Sequence, residues 1–369
     1  MIRISVANIS AGERLAYDVF DKDGQLLLLR GGLITSKAQA ELIRQTGYRN
    51  PGPRKSATPF SALAKIADRL NAVEQDIVRG WDSGIWIKRI TFLVNDFIEV
   101  ADANPDAAFA CIHLDIHNRY LLVHHLMAAL VSSRLALAKG LDPAERFSVV
   151  AAALTHDIGI LSISNSINSA DDLKDEDRLH VKQHPTDGVR MLREFGVEDP
   201  LWLETVQDHH EYLDGSGYSG KSGNEISLSS RILSLADSYS AMLRPRPYRD
   251  RIVAHKALEL LYANELNRYD GSLLEALIWD LGFYPPGSLL RLANREMAVA
   301  ICNKPGLLNS PTVAALTDPR GRPLSKPIFR DTQDPDFAIV DTLDPAMAAR
   351  SGLMIEHCWT PHTSFLIHQ

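Results

Sequence analysis

The sequence predicts a mainly α-helical protein, in which an all-helical central domain lies between small β-rich segments at the two ends of the chain. Two observations support this prediction. Apolar residues recur at helical spacing in residues 60–281, as Leu63, Ile66 and Leu70 illustrate. Strand-like runs bounded by turn signals lie before residue 58 and after residue 284.

Residues 1–58 are predicted to form a small β-rich domain. Residues 14–19 and 25–30 are strand-like, and Asp23-Gly24 between them is typical of a hairpin turn. Thr35 or Ser36 can cap a short helix that follows these strands. A run rich in proline, glycine and serine then indicates a linker before the helical residues begin.

Residues 59–106 are predicted to be a helical linker, and residues 107–283 to be the central helical domain. In this domain an apolar run at residues 147–154 leads directly into His156-Asp157 and would hold that pair rigidly. Residues 284–369 change character after a proline-rich break. Their strand-like runs predict a β-rich C-terminal appendage.

The composition is that of an ordinary globular protein of 369 residues, with 45% hydrophobic and 23% charged residues. A formal net charge of -7 argues against binding to nucleic acid polymers. The cysteines, Cys111, Cys302 and Cys358, have neither a disulfide pattern nor metal-binding spacing. No apolar run reaches the length of about 18 residues that a membrane span needs, and the N-terminus has no signal-peptide pattern. We therefore expect a cytoplasmic protein without a membrane span.

The most informative residues are histidines and aspartates that recur along the central domain. Their order is His156, Asp157, His184, His209, His210 and Asp237. Imidazole suits Fe, Mn, Zn and Ni, and a carboxylate is the usual group that bridges two ions. Since neighbours on a helix point about 100° apart, an adjacent His-Asp pair can send its imidazole to one ion and its carboxylate between both. The pattern predicts a metal-dependent hydrolase or a descendant of one.

Each part of this pattern is common by itself. A His-Asp pair lies more often at a helix end or on the surface, and a His-Pro pair more often marks a helix boundary. Asp-Gly-Ser-Gly is more often a simple turn. With 13 histidines in the chain, an adjacent pair such as His209-His210 also arises by chance. The ordered combination is what favours a functional site.

The same motifs resemble those of HD-GYP domain proteins, which belong to the HD phosphohydrolase superfamily. The matching segments are His-Asp-Ile-Gly at 156–159, His-Pro-Thr-Asp-Gly at 184–188, His-His-Glu-Tyr-Leu-Asp-Gly-Ser-Gly-Tyr at 209–218, the run at 226–237 and Arg-Pro-Tyr-Arg at 246–249. They occur in the family order over about residues 107–283. The resemblance implies an all-helical domain with two or three metal ions, commonly iron or manganese. It also implies hydrolysis of cyclic di-GMP to pGpG, and often on to GMP, by a hydroxide that bridges the ions.

The resemblance further implies which residues act. The implied metal ligands, with Asp157 as the bridging and catalytic residue, are His124, His156, Asp157, His184, His209, His210 and Asp237. Arg246 and Arg249 match positions that contact the substrate phosphate, a task that suits a guanidinium. The implied partner loop, associated in the family with binding to GGDEF domains that make cyclic di-GMP, contains Asp214, Gly215, Gly217 and Tyr218. A second copy of the chain is a further candidate partner.

Three positions depart from the family pattern. Ile160 stands where the family usually has a lysine, which is associated with stabilising the phosphate or the leaving oxygen. Ser219 stands where the Gly-Tyr-Pro signature has its proline. Tyr120 stands where members with three metals carry a glutamate, so we expect two divalent ions, iron or manganese.

These departures leave several functions open. The first is an active cyclic di-GMP phosphodiesterase. The second is a cyclic di-GMP receptor or interaction module that turns nucleotide over poorly, which Ile160 and Ser219 motivate. The third is an HD phosphohydrolase that acts on another nucleotide. We favour the first function, because all seven implied ligands are present.

Overall fold

The computed structural model describes residues 2–3, 19–20, 22, 26–28, 34–46, 48–49, 58–80, 84–115, 118–161, 175–245, 251–264, 267–347 and 355–359. The chain falls into two compact units, Met1–Ala57 and Thr58–Gln369. The finer division from the sequence, into residues 1–58, 59–106, 107–283 and 284–369, stays a prediction.

The first unit combines a short helix with a small antiparallel sheet of the order β1-β4-β2-β3. Its strands are β1 (Ile2–Arg3), β2 (Val19–Phe20), β3 (Leu26–Leu28) and β4 (Tyr48–Arg49). Helix α1 (Lys37–Thr46) begins after Ser36, whose hydroxyl accepts a hydrogen bond from the Gln39 N–H at 3.1 Å. The predicted pairing of two strands and the capped helix are confirmed here. Residues 14–18, 25 and 29–30 of the predicted strands lie outside the described residues.

The second unit is built around an all-helical domain. Its helices are α2 (Pro59–Val78), α3 (Trp86–Ala103), α4 (Pro105–Leu114), α5 (Tyr120–Ala138), α6 (Pro143–Thr155), α7 (Asp175–Glu194), α8 (Pro200–Asp208), α9 (Leu228–Met242), α10 (Ala254–Asn264) and α11 (Gly271–Leu281). Proline is the first residue of α2, α4, α6 and α8. It costs no helical hydrogen bond there, because the first N–H groups of a helix have no partner within the helix. Asp142 and Glu145 close a capping box at the start of α6, and Asp199 caps α8.

Helix α5 lies at the centre of the helical domain, where it packs against α6 and α9. Nearly all of its residues are buried, including His124 and His125 in its first half. In the part of the chain that the structure describes, α5 is the one helix long and apolar enough to cross a membrane. However, 83% of its most apolar stretch is buried inside the protein, as in the core helix of a soluble domain.

Gly159 lets the turn after α6 approach α7 closely. This turn, a short 3-10 helix at Ile158–Ile160, follows His156-Asp157 directly. A Cβ atom at Gly159 would lie 2.3 Å from the carbonyl oxygen of His184, so only glycine fits there. The backbone of the His-Asp turn is therefore held against the helix that carries His184.

The residues after α11 form a five-stranded antiparallel sheet of the order β8-β7-β6-β5-β9. Its strands are β5 (Leu289–Leu292), β6 (Met297–Lys304), β7 (Leu307–Thr317), β8 (Pro323–Asp331) and β9 (Ile339–Leu343). The predicted β-rich C-terminal segment is confirmed. Its first two predicted strands correspond to β5 and β6.

One face of this sheet shares an apolar cluster with α4. Ala107 and Ala110 of α4 pack with Val299 and Ile301 of β6. A Cβ atom at Gly287 would lie only 2.9 Å from the Ala110 Cα atom, so the chain that enters the sheet touches the backbone of α4. The C-terminal segment thus forms part of the core of the second unit.

Candidate metal centre

The seven predicted metal ligands meet in one buried centre. They come from α5, from the residues after α6, from α7, from the residues after α8, and from α9. Two sets of side chains could each hold an ion, because their candidate ligand atoms lie within 4.8 Å of one another. These sets are His124, His156 and Asp157, and His184, His209 and His210. That they bind metal stays a proposal.

Asp157 lies between the histidines of the first set and those of the second set. Its Oδ1 atom is 3.3 Å from Nε2 of His184. Its Oδ2 atom is 3.6 Å from Nε2 of His156 and 3.9 Å from Nε2 of His124. Each carboxylate oxygen therefore faces a different set, as a carboxylate that bridges two ions requires.

Asp237 joins the two sets from α9. Its Oδ1 atom lies 2.9 Å from Nε2 of His124 and 3.6 Å from Nε2 of His156. Its Oδ2 atom points the other way and lies 3.8 Å from Nδ1 of His210. The centre therefore contains two carboxylates that each contact both halves.

Three of the histidines are oriented by the backbone carbonyl three residues earlier. The distances from Nδ1 to the carbonyl oxygen are 2.8 Å for His156 and Ala153, 2.6 Å for His184 and Val181, and 2.7 Å for His209 and Val206. Because a carbonyl can only accept a hydrogen bond, each Nδ1 atom carries the proton. Each Nε2 atom then presents its lone pair to the centre, which is the usual arrangement of a metal-binding histidine.

The local sequence explains why these carbonyls are available. Helices α6 and α8 end at the residue before their histidine, so the carbonyls in question are among the last of each helix. In α7, Pro185 has no N–H and cannot bond to the carbonyl of Val181 four residues earlier. A His-Pro pair more often marks a helix boundary, but α7 continues through Pro185. The carbonyl that the proline leaves free orients His184.

His124 is oriented by a side chain of α9 instead. Its Nδ1 atom lies 2.9 Å from the hydroxyl of Ser240, and this hydroxyl donates to the His124 carbonyl at 3.0 Å. The hydroxyl can therefore accept from Nδ1–H, which leaves Nε2 for a metal. The ring of Tyr120 stacks on His124 at a centroid distance of 5.6 Å.

Burial and mutual proximity keep several of the histidines neutral. Burial lowers the pKa of His124, against the opposing effect of Asp237. Burial and the other imidazoles hold the pKa of His209 well below its usual value, and burial lowers the pKa of His210 to about 4. Burial also lowers the pKa of His156, but the two carboxylates outweigh this effect and raise it.

Asp157 and Asp237 remain ionised. Burial raises the pKa of both carboxyl groups, but the surrounding histidines outweigh it and hold both pKa values well below the usual range. Neutral imidazoles and ionised carboxylates are the forms that bind a divalent ion.

His125 adds a contact that sequence reasoning did not identify. Its Nδ1 atom lies 2.9 Å from Oε1 of Glu74 on α2, and its Nε2 atom lies 3.5 Å from Oδ2 of Asp157. Glu74 is bound in turn by Nη2 of Arg119 at 2.6 Å. Burial lowers the pKa of His125, but the nearby carboxylates of Asp157 and Glu74 raise it to about 9. A helix outside the predicted central domain thus supports the central carboxylate.

The predicted partner loop folds back against the centre. The buried carboxylate of Glu211 accepts hydrogen bonds from the N–H groups of Ser219 at 2.7 Å and Lys221 at 3.0 Å. A Cβ atom at Gly217 would lie 2.6 Å from the carbonyl oxygen of His210, so this glycine permits the close approach. The residue types along the loop gave no sign that Glu211 organises it.

Tyr218 lies at the solvent edge of the centre, with its ring centroid 4.7 Å from that of His210. Burial raises the pKa of Tyr218 to about 12. The side chain of His210 is 19% exposed, whereas those of His156 and His184 are 1% exposed. Asp214 and Gly215 form the outer turn of the loop, where Gly215 has a φ of 77°.

The remaining predicted residues are placed as follows. Ile160 is half-buried at the end of the 3-10 turn, and its N–H donates to the Asp157 carbonyl at 3.0 Å. Arg246 and Arg249, expected to contact the substrate phosphate, lie outside the described residues. The described site therefore contains the seven implied ligands and the partner loop.

Comparison with known proteins gives a family match in this part of the chain. A family model described as the HD domain matches residues 112–273, which include all seven predicted ligands. The match begins in α4 and ends in α11, so it excludes the C-terminal sheet.

Two curated proteins that are similar to this chain are named as phosphodiesterases of cyclic dinucleotides. Cyclic di-GMP phosphodiesterase PA4108 of Pseudomonas aeruginosa is 29% identical over 235 residues, which cover 62% of this chain and 56% of the relative. The 3'3'-cGAMP-specific phosphodiesterase 3 of Vibrio cholerae is 32% identical over 174 residues, which cover 47% of this chain and 38% of the relative. The chain thus spans about half the length of these relatives, or less.

A solved structure supports the fold. Bd1817, an HDG"Y"P protein from Bdellovibrio bacteriovorus, matches with a TM-score of 0.52 and 14% sequence identity, over 75% of this chain and 97% of that chain. The mainly helical fold class predicted from the sequence is confirmed. The resemblance of the HD domain to HD-GYP proteins is confirmed as well.

Proposed function

We propose that the HD domain is the catalytic centre of a metal-dependent phosphodiesterase that hydrolyses cyclic di-GMP to pGpG or GMP. The observation that carries this proposal is the position of Asp157, whose two oxygens face two separate sets of ligands at 3.3 and 3.6 Å. Hydrolysis of a phosphodiester is chemistry that a pair of divalent ions supports. The printed names of the relatives agree with this class of reaction.

The donor set fits two divalent ions. Imidazole nitrogens and carboxylate oxygens suit iron and manganese, which we propose as the metals. Asp157 and Asp237 together contribute two negative charges, so a pair of divalent ions would leave the centre positive and favour an anionic phosphodiester. The ring of Tyr120 on His124, where a third carboxylate would be needed, supports two ions rather than three.

The residues of the chain would prepare the reaction by fixing positions. When bound, the ions would polarise the phosphodiester and lower the pKa of water for its attack on phosphorus. Asp157 would fix the position of the two sets of ligands relative to each other. The histidines that donate to backbone carbonyls would keep their Nε2 lone pairs directed at the ions. Tyr218 would limit access of solvent beside His210. We propose that Arg246 and Arg249 bind phosphate oxygens.

A second candidate function is a cyclic di-GMP receptor that turns its ligand over poorly. Ile160 favours it, because a half-buried apolar side chain directly follows the ligand turn where the family usually has a lysine. A missing cation at this place weakens the stabilisation of charge in the transition state. In this case metal and nucleotide bind normally but product forms slowly.

The substrate and the partners are also proposals. The name of the Vibrio cholerae relative makes 3'3'-cGAMP the other cyclic dinucleotide to test. We propose action in the cytoplasm, and contact with GGDEF-domain proteins or a second copy of the chain through the loop of Asp214, Gly215, Gly217 and Tyr218.

Chromatography of the reaction products tests the proposed activity. The full chain would be incubated without oxygen with cyclic di-GMP or 3'3'-cGAMP, with Mn(II) and Fe(II) supplied separately. We expect linear products from the wild-type chain and from the control Asp68→Ala, which changes an exposed carboxylate of α2. Asp157→Ala should give no product and retain less metal.

Absence of product from a folded, metal-loaded wild-type chain would contradict the enzyme proposal and favour the receptor. The variant Ile160→Lys then separates two causes. If the missing cation limits turnover, this variant should raise kcat while metal content stays unchanged. Ile85→Lys, at an exposed isoleucine before α3, is the matched control.

A further inference from the structure

Two arginines lie together in a cavity beyond the end of α9. The cavity has a volume of about 480 Å³ and lies between the helical domain and the end of β9. Arg244 and Arg251 line it from the helical side, and Thr342 and Asp344 line it from the sheet. None of these residues belongs to the motifs that resemble the HD-GYP family.

Arg244 is buried, and no carboxylate of the described residues lies within ion-pair distance of it, although Asp115 is near enough to raise its pKa. Arg244 is 8% exposed, and its Nη1 atom donates a hydrogen bond to the backbone carbonyl of Asp115. Its Nε atom has no hydrogen-bond partner in the described part of the chain. Buried charged groups are normally paired, and an unpaired buried donor costs free energy. The guanidinium of Arg244 is therefore incompletely satisfied by the protein.

Arg251 has only a weak anionic partner. Its Nε and Nη2 atoms donate to the carbonyl of Leu243 at 3.3 and 3.0 Å. Its Nη1 atom lies 3.7 Å from Oδ1 of Asp344, whose side chain is 58% exposed, so water screens this ion pair. Among the described residues, the ion-pair partner of Arg251 is thus an exposed carboxylate.

The two arginines act on each other and on the groups around them. Burial and Arg251 lower the pKa of Arg244, against the opposing effects of Asp115 and Tyr120, and the guanidinium stays charged at neutral pH. Both arginines also act electrostatically on His113 of α4. Burial, then Arg251 and Arg244, lower its pKa to about 3, so it is neutral. Two positive charges therefore face the carboxylates of Asp115 and Asp344, of which Asp344 is exposed.

The cavity lies close to the candidate metal centre along the chain. Asp237 is on α9, and Arg244 follows seven residues later, about 10 Å away at 1.5 Å per helical residue. Tyr120 lies near both the metal centre and the cavity. Its ring stacks on His124, and its hydroxyl group raises the pKa of Arg244. The cavity and the metal centre are therefore neighbours along the chain, although none of the candidate ligands lines the cavity.

We propose that Arg244 and Arg251 form a binding site for a phosphate group. A guanidinium presents paired N–H donors that match phosphate oxygens, and the cavity volume is in the range of small-molecule sites. The phosphate comes either from the second phosphodiester of a cyclic dinucleotide at the metal centre or from a separate phosphate-bearing ligand. The first source rests on the proposed function, whereas the second does not.

Calorimetric titration with inorganic phosphate tests the site itself. The full chain is first treated with a chelator, so that phosphate cannot bind to metal ions. We expect Arg251→Gln to weaken phosphate binding about tenfold, as the loss of a charged hydrogen-bond donor implies. Asp344→Asn changes an exposed side chain, so it should preserve the fold, and we expect about threefold tighter binding because the competing carboxylate is gone.

The matched control is Arg320→Gln, at an exposed arginine in the turn between β7 and β8, which should leave phosphate binding unchanged. The proposal is overturned if the wild-type chain binds no phosphate, or if all these variants bind it equally. This experiment needs neither metal nor turnover. Its failure is therefore distinct from a failure of the proposed phosphodiesterase activity.

Kinetics of the metal-loaded chain with cyclic di-GMP then identify the source of the phosphate. If the second phosphodiester occupies the site, Arg251→Gln should raise KM about tenfold with little change in kcat, as loss of uniform binding does. Inorganic phosphate should then also compete with cyclic di-GMP. If KM stays unchanged while phosphate binding falls, the site takes a separate ligand.

Discussion

Pro185 removes one N–H group from the middle of α7, and the carbonyl of Val181 that it leaves free orients His184. A proline inside a helix usually weakens it. Here the lost helical hydrogen bond is replaced by one that fixes a proposed metal ligand. Helix stability and metal affinity therefore depend in opposite ways on the same residue.

We predict that Pro185→Ala makes the metal-free protein more stable and weakens its binding of Mn(II). The new N–H at residue 185 would bond to Val181 and compete with Nδ1 of His184 for the carbonyl. Loss of such support for a ligand typically lowers metal affinity about 10–100-fold. Thermal unfolding of the chelated protein and Mn(II) titration measure the two effects.

Pro200→Ala serves as the control, because Pro200 opens α8 where the missing N–H has no helical partner. It should change neither quantity much. Unchanged Mn(II) affinity in Pro185→Ala would show that the free carbonyl does not matter for His184.

Six of the seven proposed ligands could be predicted from short local motifs, whereas His124 followed only from the family resemblance. His156-Asp157 and His209-His210 directly follow helix ends, so a short stretch of residue types indicates both the turn and the ligands. The contact between Glu74 and His125 joins residues 51 positions apart and has no periodic signal. Only the packing of α2 against α5 brings these two together.

At the scale of elements, the contact of α2 with the centre leads to a second prediction. Glu74→Gln should lower the metal content, because His125 would lose the carboxylate that orients it towards Asp157. Metal analysis after dialysis against a fixed concentration of Mn(II) measures this. We expect a loss of about tenfold or more in affinity, as for other residues that support metal ligands.

The control is Asp68→Asn, which removes an exposed carboxylate from the same helix. It should leave the metal content as in the wild-type chain. Equal metal content in Glu74→Gln would mean that α2 packs near the centre without supporting Asp157.

Helix ends were predictable because capping residues and prolines mark them in the sequence, as Ser36 does for α1 and Gly140 for α5. The first two strands after residue 284 were predicted from strand-like runs and the turn between them, whereas β7, β8 and β9 were not. The packing of these strands was not predictable, because Ala107 and Ala110 on α4 resemble any small apolar helix residues. Which surface covers them depends on contacts almost 200 residues away along the chain.

At the scale of the whole molecule, the shared cluster of α4 and β6 predicts that the sheet and the helical domain unfold together. Val299→Ser places a hydroxyl in this cluster, where Val299 is fully buried. We expect a cost of about 1–3 kcal/mol and a lower temperature for a single transition. Near-ultraviolet circular dichroism and release of Mn(II) should follow the same curve.

Val340→Ser is the control, because Val340 on β9 is 60% exposed. It should shift the transition little. Two separate transitions in Val299→Ser, with Mn(II) released only in the second, would show instead that the sheet unfolds independently of the HD domain.

The unequal exposure of His210 and the other histidines predicts an order of metal exchange. The ion proposed for His184, His209 and His210 would have one ligand at the solvent edge beside Tyr218, whereas the ion proposed for His124 and His156 would lie deeper. We expect a chelator to reach the outer ion first and to remove the inner ion only after it. A partly depleted sample would then be a population of chains that hold the inner ion alone, and refilling would restore the outer ion last.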